Sequence, residues 1–483
     1  MRLADLVDAV DGTVDGVTRR PSRNDAEIEI THMTGDSRAV RAGSLFCCVA
    51  GAHYDGHDFA AQALASGAIA LLCEREIPID AAQIVVRSVR ATMGPLASAL
   101  FDHPSRSLPV VGVTGTNGKT TTVHLIAAIL GATGKVTEII GTLSGVRTTP
   151  EAPDLQQLLA RARDAEAEAV AMEVSSHALV QHRIDGTRFA AAVFTNLSAD
   201  HLDYHRTMEE YFRAKARLFE PSFTDVAVID IDTTYGRLLA DSVQLPVVVR
   251  SGVSTVDVLS VGLANSTFRW RDQVVQLPLG GRFNVANAVL AADTVAALDV
   301  APREIAAALA TVTPVPGRFE RIDEGQPFRV LVDYAHTPDG LKRVLEAARE
   351  VVADSGQVVV VFGCGGDRDA TKRPMMGAEA EAGADVVVIT SDNPRYEDPQ
   401  AIVDAVLQGM NERPYAVELD RRRAIGLALE AATEADVVVI AGKGHETTQQ
   451  IGDTYLAFDD RDVTRALLRE LALGRSDNGG RAR

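Results

Sequence analysis

The chain has 483 residues, more than one hydrophobic core usually supports, so roughly two to four domains are expected. An apolar share of 46% and a charged share of 24% are ordinary for a globular protein, while a net charge of −18 argues against a general nucleic-acid binder, which carries a basic face. The four cysteines (Cys47, Cys48, Cys73 and Cys364) form no CxxC pair, which points away from a zinc site or a disulfide framework and fits a reducing compartment.

At the N-terminus, "MRLADLVDAVDG" puts acidic residues where a signal peptide needs an unbroken apolar stretch. No apolar run approaches the ~20 residues of a membrane span, so a cytoplasmic protein without membrane insertion is expected. The segment "THMTGDSRAVRAGSLFCCVAGAHYDGHDF" reads as a turn, a strand and a second turn. Two prolines in "DHPSRSLP" mark a linker and a domain division near 104. A strand, "LPVVGVTG", then runs into a helix, "KTTTVHLIAAILGATG". Further on, "AVAMEVSSHALVQHR" is strand-like up to Glu173, "FTNLSADHLDYH" follows another strand, and "YFRAKARLF" is a helix with Lys215 between apolar residues. "LPLGGRFNVANAVLAA" opens a helix at Asn284 and Asn287. After the Ala-rich helix "REIAAALA", "VTPVPGRFE" marks a second linker and a division near 316. The remainder alternates again, through "QVVVVFGCGG", "RPMMGAEAEAGA", "ADVVVITSDNPRYEDP" and "ADVVVIAGKG", and the tail "GRSDNGGRAR" is expected to be disordered. Strands alternating with helices imply parallel sheets flanked by helices, an α/β protein.

The glycine-rich turn is the first chemical signal. In "VVGVTGTNGKTTT", Gly115 and Gly118 let backbone N–H groups turn towards phosphates, and the helix N-terminus adds partial positive charge. Lys119 reaches the outer phosphates, and the Thr120 hydroxyl is a hard oxygen ligand for Mg²⁺. The strict GxxxxGK[ST] pattern fails, because Val113 stands where its first glycine belongs. A glycine turn alone is a weak signal, but Lys and Thr after a strand favour nucleotide binding over a structural turn. Glu173, at a strand end, reads either as a metal ligand or as a cap. Alone, His201 is a loop histidine, Lys215 a snorkelling surface lysine, and "DNPR" a turn in which Pro394 fixes the backbone. Arg318 carries the fixed, forked charge that suits phosphate, and Asp333 at a strand end suits ribose hydroxyls.

"GTNGKTT" resembles the ATP loop of the Mur ligase family and of its relatives, the folylpolyglutamate synthetases. The likeness continues in order along nearly the whole chain. It implies three domains: a small N-terminal α/β domain that binds UDP (1–104), a central P-loop-type ATPase domain with a mostly parallel sheet (105–316), and a C-terminal Rossmann-like domain that binds an amino acid (317–483). It implies ATP as a substrate, with Gly115, Thr116, Asn117, Gly118, Lys119, Thr120 and Thr121 around its phosphates. Asn284, Asn287, Arg318, Asp333, Tyr334 and His336 would close over it. Lys215 matches the lysine that CO₂ carbamylates in the family. As N6-carboxylysine it becomes an anion able to hold Mg²⁺, with Glu173 and His201 on a second Mg²⁺ and Thr120 beside them. The implied catalytic set is Lys119, Glu173, His201, Lys215 and Arg318.

By the same likeness, Ser37, Ala52, His53 and Tyr54 contact the uridine end of a UDP-muramoyl dipeptide. Thr148, Thr149, Ser175, Gln181 and Arg183 contact its peptide and sugar, while Arg147 departs from the Asn of some members. "DNPR" matches the motif of the diaminopimelate-adding members, so Asp392, Asn393, Pro394 and Arg395, with Arg368, Gly442 and Glu446, form the implied amino-acid pocket. Arg395 suits the distal carboxylate of diaminopimelate, which lysine lacks. The expectation is therefore a monomeric, ATP-dependent ligase of peptidoglycan precursor synthesis. It adds meso-2,6-diaminopimelate to UDP-N-acetylmuramoyl-L-alanyl-D-glutamate through an acyl phosphate, with small molecules as its only partners. Three alternatives stand beside it: the same step with L-lysine, a folylpolyglutamate synthetase-like ligase, and a non-catalytic nucleotide-binding regulator on the same fold. The "DSR" and "EVSSH" segments disfavour the second. Glu173, His201 and Lys215 beside the phosphate loop disfavour the third.

Overall fold

The computed structural model describes residues 1–10, 17–19, 25–51, 54–145, 147–352 and 355–479. Ala52 and His53 lie outside the described residues.

The run Val110–Thr114 is rich in β-branched residues and carries no charge, so it is stable only with both faces covered. It lies inside a six-stranded, all-parallel sheet in the order Val247–Ser251, Val226–Asp230, Ala191–Phe194, Val110–Thr114, Ala169–Glu173, Thr137–Ile140. Side chains alternate across it. Val111 and Val113 join a core with Leu125 and Ile129 of helix Lys119–Ala132 and Val289 of helix Arg282–Ala296. Val110 and Met172 enter the opposite core with Leu155 and Leu159 of helix Ala152–Asp164. Each fully buried aliphatic side chain contributes about 1.5–3 kcal/mol, so the strand that delivers the phosphate loop is among the most firmly held parts of the chain. A three-stranded antiparallel sheet, Asp257–Val261, Ser266–Trp270 and Gln273–Leu277, adds Phe268, Trp270, Val275 and Leu277 to the first core.

On the N-terminal side, five strands pair in the order Val17–Arg19, Ala82–Val86, Ala68–Cys73, Ser44–Cys47, His32–Thr34, parallel except for the first. This unit meets the central one through helix Val89–Leu100, where the Ser98 hydroxyl donates to Gly186 O at 2.9 Å. The expected linker at 102–109 is partly helical (Pro104–Ser107), and Ser105 Oγ accepts from Arg188 N at 2.9 Å.

The C-terminal sheet runs Glu320–Ile322, Arg329–Asp333, Val437–Ala441, Val358–Phe362, Val386–Ile389, Ala416–Val417, again parallel except for its first strand. Four of its strands end at Asp333, Phe362, Ile389 and Ala441, and their loops share one edge, where open α/β sheets bind ligands. The last helix, Asp460–Gly479, extends through part of the tail expected to be disordered.

Candidate functional site

The phosphate loop leaves strand Val110–Thr114 and opens helix Lys119–Ala132. Gly115 has φ 153°, and a Cβ there would come within 1.8 Å of Thr195 Oγ1, so only glycine fits this approach. The tip is braced from the next strand: Asn117 N donates to Asn196 Oδ1 at 3.0 Å, and Thr195 Oγ1 donates to Asn117 O at 2.6 Å. Lys119 Nζ donates to Gly115 O at 2.9 Å and Thr116 O at 2.8 Å, curling back over its own loop.

Lys215 shares that carbonyl, with Nζ 2.8 Å from Gly115 O. In helix Met208–Ala216 the buried residues are Tyr211, Ala214 and Lys215, the i, i+3, i+4 stripe of a packed face, so the lysine points inward. Its Nζ stands 4.6 Å from the Tyr211 ring centre. Burial, reinforced by the nearby Lys119 charge, holds its amine well below the ordinary lysine range. Burial also lowers Lys119, against the opposing pull of Glu173 and Asp200.

Oxygen donors converge beside the two lysines. Thr120 Oγ1 donates to Glu173 Oε2 at 3.1 Å, and Glu173 Oε1 accepts from Thr142 N at 2.8 Å. Arg318 Nη2 reaches Thr120 Oγ1 at 3.0 Å from the C-terminal side. His201, at φ 55°, lies 3.4 Å from Asp200 Oδ2 and packs edge-on against His177 at 4.8 Å. Burial lowers its imidazole to about 3, against the opposing pull of Asp200. Among the described residues no three His, Cys, Asp or Glu side chains form a ready metal cage. Hard oxygens at Thr120 and Glu173 nevertheless fit Mg²⁺, which usually keeps waters and takes substrate phosphates as ligands.

A narrow cavity opens from the loop between helices Arg282–Ala296 and Pro338–Arg349, lined by Asn117, Gly118, Thr121, Asn284, Asn287, Asp230, Phe283, Arg318, Asp333 and Tyr334. Asp333 Oδ2 accepts from Phe319 N at 2.6 Å, and burial raises its carboxyl to about 6. His336 Nδ1 donates to Tyr334 O at 2.8 Å, just past the strand end, and burial lowers the imidazole to about 4. Two further contacts cross between the central and C-terminal units: Asn117 Nδ2 to Asp339 Oδ2 at 2.9 Å, and Lys372 to Asp200 at 3.9 Å.

A larger cleft, about 1090 Å³, separates the N-terminal sheet from the central unit. Ser37, Tyr54 and Arg147 line it, with Tyr54 exposed. Farther in, Thr148 Oγ1 meets Thr142 Oγ1 at 3.1 Å, and Thr149 Oγ1 donates to Glu173 O at 2.9 Å while accepting from Ser175 N at 3.0 Å. Ser175 caps helix Ser176–Val180. Arg183 donates to Thr149 O at 3.1 Å and Gln181 Oε1 at 2.7 Å. Thr149, Ser175, Gln181 and Arg183 thus form one linked group, in which the Thr149 and Ser175 hydroxyls already hold the backbone.

The third group gathers on the C-terminal sheet edge. Asn393 Nδ2 donates to Glu446 Oε2 at 2.7 Å, and its Oδ1 accepts from Gln450 N at 2.9 Å. Asp392 is buried, which raises its carboxyl despite the nearby Arg421 and Lys443. Arg395 is half-buried, and its Nη1 donates to Gly366 O at 2.6 Å. Arg368 is exposed at the rim, with its Cγ 3.8 Å from where a Gly365 Cβ would lie. Gly442, at φ 118°, closes the edge beside Asp392. Sequence reasoning passed over Lys443, fully buried and 3.0 Å from Glu446 Oε2, although it stands inside "GKGHE". It also missed Asn196, Asp200 and Arg421.

Arg318 joins the phosphate loop to the C-terminal edge. Arg318 bonds Thr120 and lies 4.3 Å over the Tyr334 ring, which lies 4.9 Å from the His445 ring, next to Glu446. The preceding Gly317 (φ 65°) presses on the same loop: a Cβ there would lie 2.1 Å from His445 N.

Three family models match the chain. They are described as the Mur ligase middle domain (residues 113–295), the Mur ligase glutamate ligase domain (317–444) and the Mur ligase family catalytic domain (29–100). A UDP-N-acetylmuramoyl-L-alanyl-D-glutamate--2,6-diaminopimelate ligase of Streptomyces coelicolor is 45% identical over 477 residues, covering 92% of this chain and 94% of its own. The protein of that name from Geobacillus kaustophilus is 43% identical over 471 residues, covering 92% and 95%. A solved structure of a ligase with that name superposes with a TM-score of 0.64 at 34% identity, covering 92% of this chain and 95% of its own. Folylpolyglutamate synthase of Mycobacterium tuberculosis, complexed with ADP and AMPPCP, shares the fold at a TM-score of 0.59 and 23% identity, over 79% of this chain and 95% of its own.

Proposed function

The chain belongs to the Mur ligase family, and from that premise we propose that it is the ATP-dependent ligase that adds meso-2,6-diaminopimelate to UDP-N-acetylmuramoyl-L-alanyl-D-glutamate. The observation that carries the reading is the unbroken path Thr120–Arg318–Tyr334–His445, which ends beside Glu446 and its partner Asn393. It links a phosphate loop to a pocket of mixed charge, as phosphoryl transfer followed by amine attack requires.

In this reading the N-terminal cleft takes the uridine end near Ser37 and Tyr54, with the muramoyl dipeptide reaching past Thr148, Thr149 and Arg183. Loop N–H groups cradle the ATP phosphates, Asp333 accepts from the ribose, and Asn284 and Asn287 border the base. Lys119 and Arg318 offset the charge that spreads over the γ-phosphoryl group as it moves to the D-glutamate γ-carboxylate. ADP leaves an acyl phosphate. The diaminopimelate amine attacks its carbonyl carbon, the tetrahedral intermediate collapses, and phosphate departs. Positioning by the facing domains supplies much of the acceleration.

Mg²⁺ would be held by Thr120, Glu173, His201 and a carbamylated Lys215, and would supply charge neutralisation at the phosphates. Burial lowers the Lys215 amine, which favours the uncharged form that carbamylation needs: the nitrogen bonds the carbon of CO₂, one proton leaves, and the neutral amine becomes a carbamate anion. Arg395 and Arg368 face the distal carboxylate of the amino acid, and Asp392 and Glu446 its ammonium. The reading includes domain limits near 104 and 316, a cytoplasmic monomer, and no membrane insertion, in keeping with the absence, among the described residues, of any helix long and apolar enough to cross a bilayer.

The test is phosphate release with ATP, the UDP-muramoyl dipeptide, and either meso-diaminopimelate or L-lysine. Release that needs diaminopimelate is expected. No amine-dependent release would sink the ligase assignment, and release with lysine alone would sink the specificity.

A further inference from the structure

Strands Val386–Ile389 and Val437–Ala441 carry the two loops of the amine pocket, yet they are not neighbours: Val358–Phe362 lies between them. No ladder bond fixes one loop against the other. Arg421, at the start of helix Arg421–Ala431, spans the gap. Its Nη1 donates to Ser391 O at 3.3 Å and its Nη2 to Ala441 O at 2.9 Å, the carbonyls immediately before Asp392 and Gly442. The same guanidinium grips Asp460 with two bonds of 2.7 Å, and both side chains are 0% exposed.

A buried ion pair is a poor device for stability alone, since apolar residues of similar volume often serve as well or better. What Arg421 supplies here is placement. Its flat fork reaches two carbonyls and a carboxylate at once, a geometry that lysine cannot reproduce. The two loops must meet closely: a Cβ on Gly442 would fall 2.6 Å from Asp392 Oδ2 and 3.8 Å from Arg421 Nη2. The Arg421 charge also opposes the upward shift that burial gives the Asp392 carboxyl.

We propose that Arg421 is a positioning residue that staples the Asp392 and Gly442 loops across the intervening strand and thereby sets the affinity for the incoming amino acid. The proposal deepens the ligase reading and rests on it. The test compares wild type, Arg421→Met/Asp460→Leu, which removes both charges together, and Arg421→Lys. Each is checked for a cooperative melt, then assayed for KM of meso-diaminopimelate, ATP and the UDP-muramoyl dipeptide. Folded variants are expected to show a KM for diaminopimelate raised about tenfold or more, with the other two KM values within about twofold. An unchanged diaminopimelate KM in a folded variant, or an equal loss for all three substrates, overturns the proposal. If neither variant folds, the pair serves stability and the proposal fails. Wild type without amine-dependent phosphate release would instead count against the ligase reading, so the two failures are told apart.

Discussion

Replacing Arg395 with alanine isolates what selects the amino acid. The guanidinium sits half-buried at the pocket rim, with Nη1 held 2.6 Å from Gly366 O. Its backbone is pinned as well, by a 3.1 Å bond from Arg395 N to Gln450 O. The side chain is thus oriented before the ligand arrives, and little rotamer entropy remains to be lost on binding. Nη2 and Nε have no protein acceptor among the described residues, which leaves them for a carboxylate. A hydrogen bond to a charged group contributes about 1.5–3 kcal/mol, and two at a partly screened site give about 3 kcal/mol, roughly two orders of magnitude in kcat/KM. Arg395→Ala should therefore lower kcat/KM for meso-diaminopimelate about a hundredfold, mostly through KM, and change whatever background release L-lysine supports by less than about threefold. The assay is phosphate release over a range of each amine at saturating ATP and UDP-muramoyl dipeptide. Equal losses for both amines, or a loss below about threefold for diaminopimelate, would refute the claim that Arg395 reads the distal carboxylate.

Two other expectations follow from buried ionisable groups. Burial raises Asp333 from the usual aspartate value to about 6, so the folded state binds this proton more tightly than the unfolded chain. Stability is lost as pH climbs from the ordinary carboxylate range to about 6 and stays lower above it. Asp333→Asn should flatten that part of a denaturation series run from pH 4 to 8 and raise the KM for ATP about tenfold, whereas an unchanged KM would remove the ribose role. For Lys215 the folded pKa is depressed, so stability should rise with pH from that lowered value up to the ordinary lysine pKa. Lys215→Met should hold its melting temperature at pH 7.5 yet lose about a thousandfold in turnover, and ¹³CO₂-loaded wild type should show a carbamate carbon by NMR that the variant lacks. Retained turnover, or no such carbon in wild type, would count against a carbamylated lysine.

Much of the fold was legible because buried parallel strands write themselves as β-branched runs. Val110–Thr114, Val358–Phe362, Val386–Ile389 and Val437–Ala441 all stand where their composition placed them. The antiparallel sheet from Asp257 to Leu277 drew no such notice: several of its residues face solvent, and Asp, Ser, Thr, Arg and Gln interrupt its apolar residues before a run can form. Lys215 shows the same contrast at the level of a site. Read singly it is a surface lysine, but Tyr211, Ala214 and Lys215 share one helical stripe, and that spacing was available to signal burial. Arg421 had no local signal. It lies in "DRRRAI", which reads as a charged helix start, and only the crossing of three strands and the distant Asp460 reveals that one of its three arginines is internal. Asn196 was likewise invisible, because its partner Asn117 lies 79 residues away.

Gly317 carries a further implication. With no side chain, its backbone rests directly on Gly444 and His445, and its N–H donates to Glu320 Oε2 at 2.8 Å. Gly317, where the match to the glutamate ligase domain begins, is therefore also one wall of the loop that ends in Glu446. Any side chain at Gly317 would have to displace the Gly444–His445 backbone, so a substitution here reaches the amine pocket without altering one of its ligand-facing side chains.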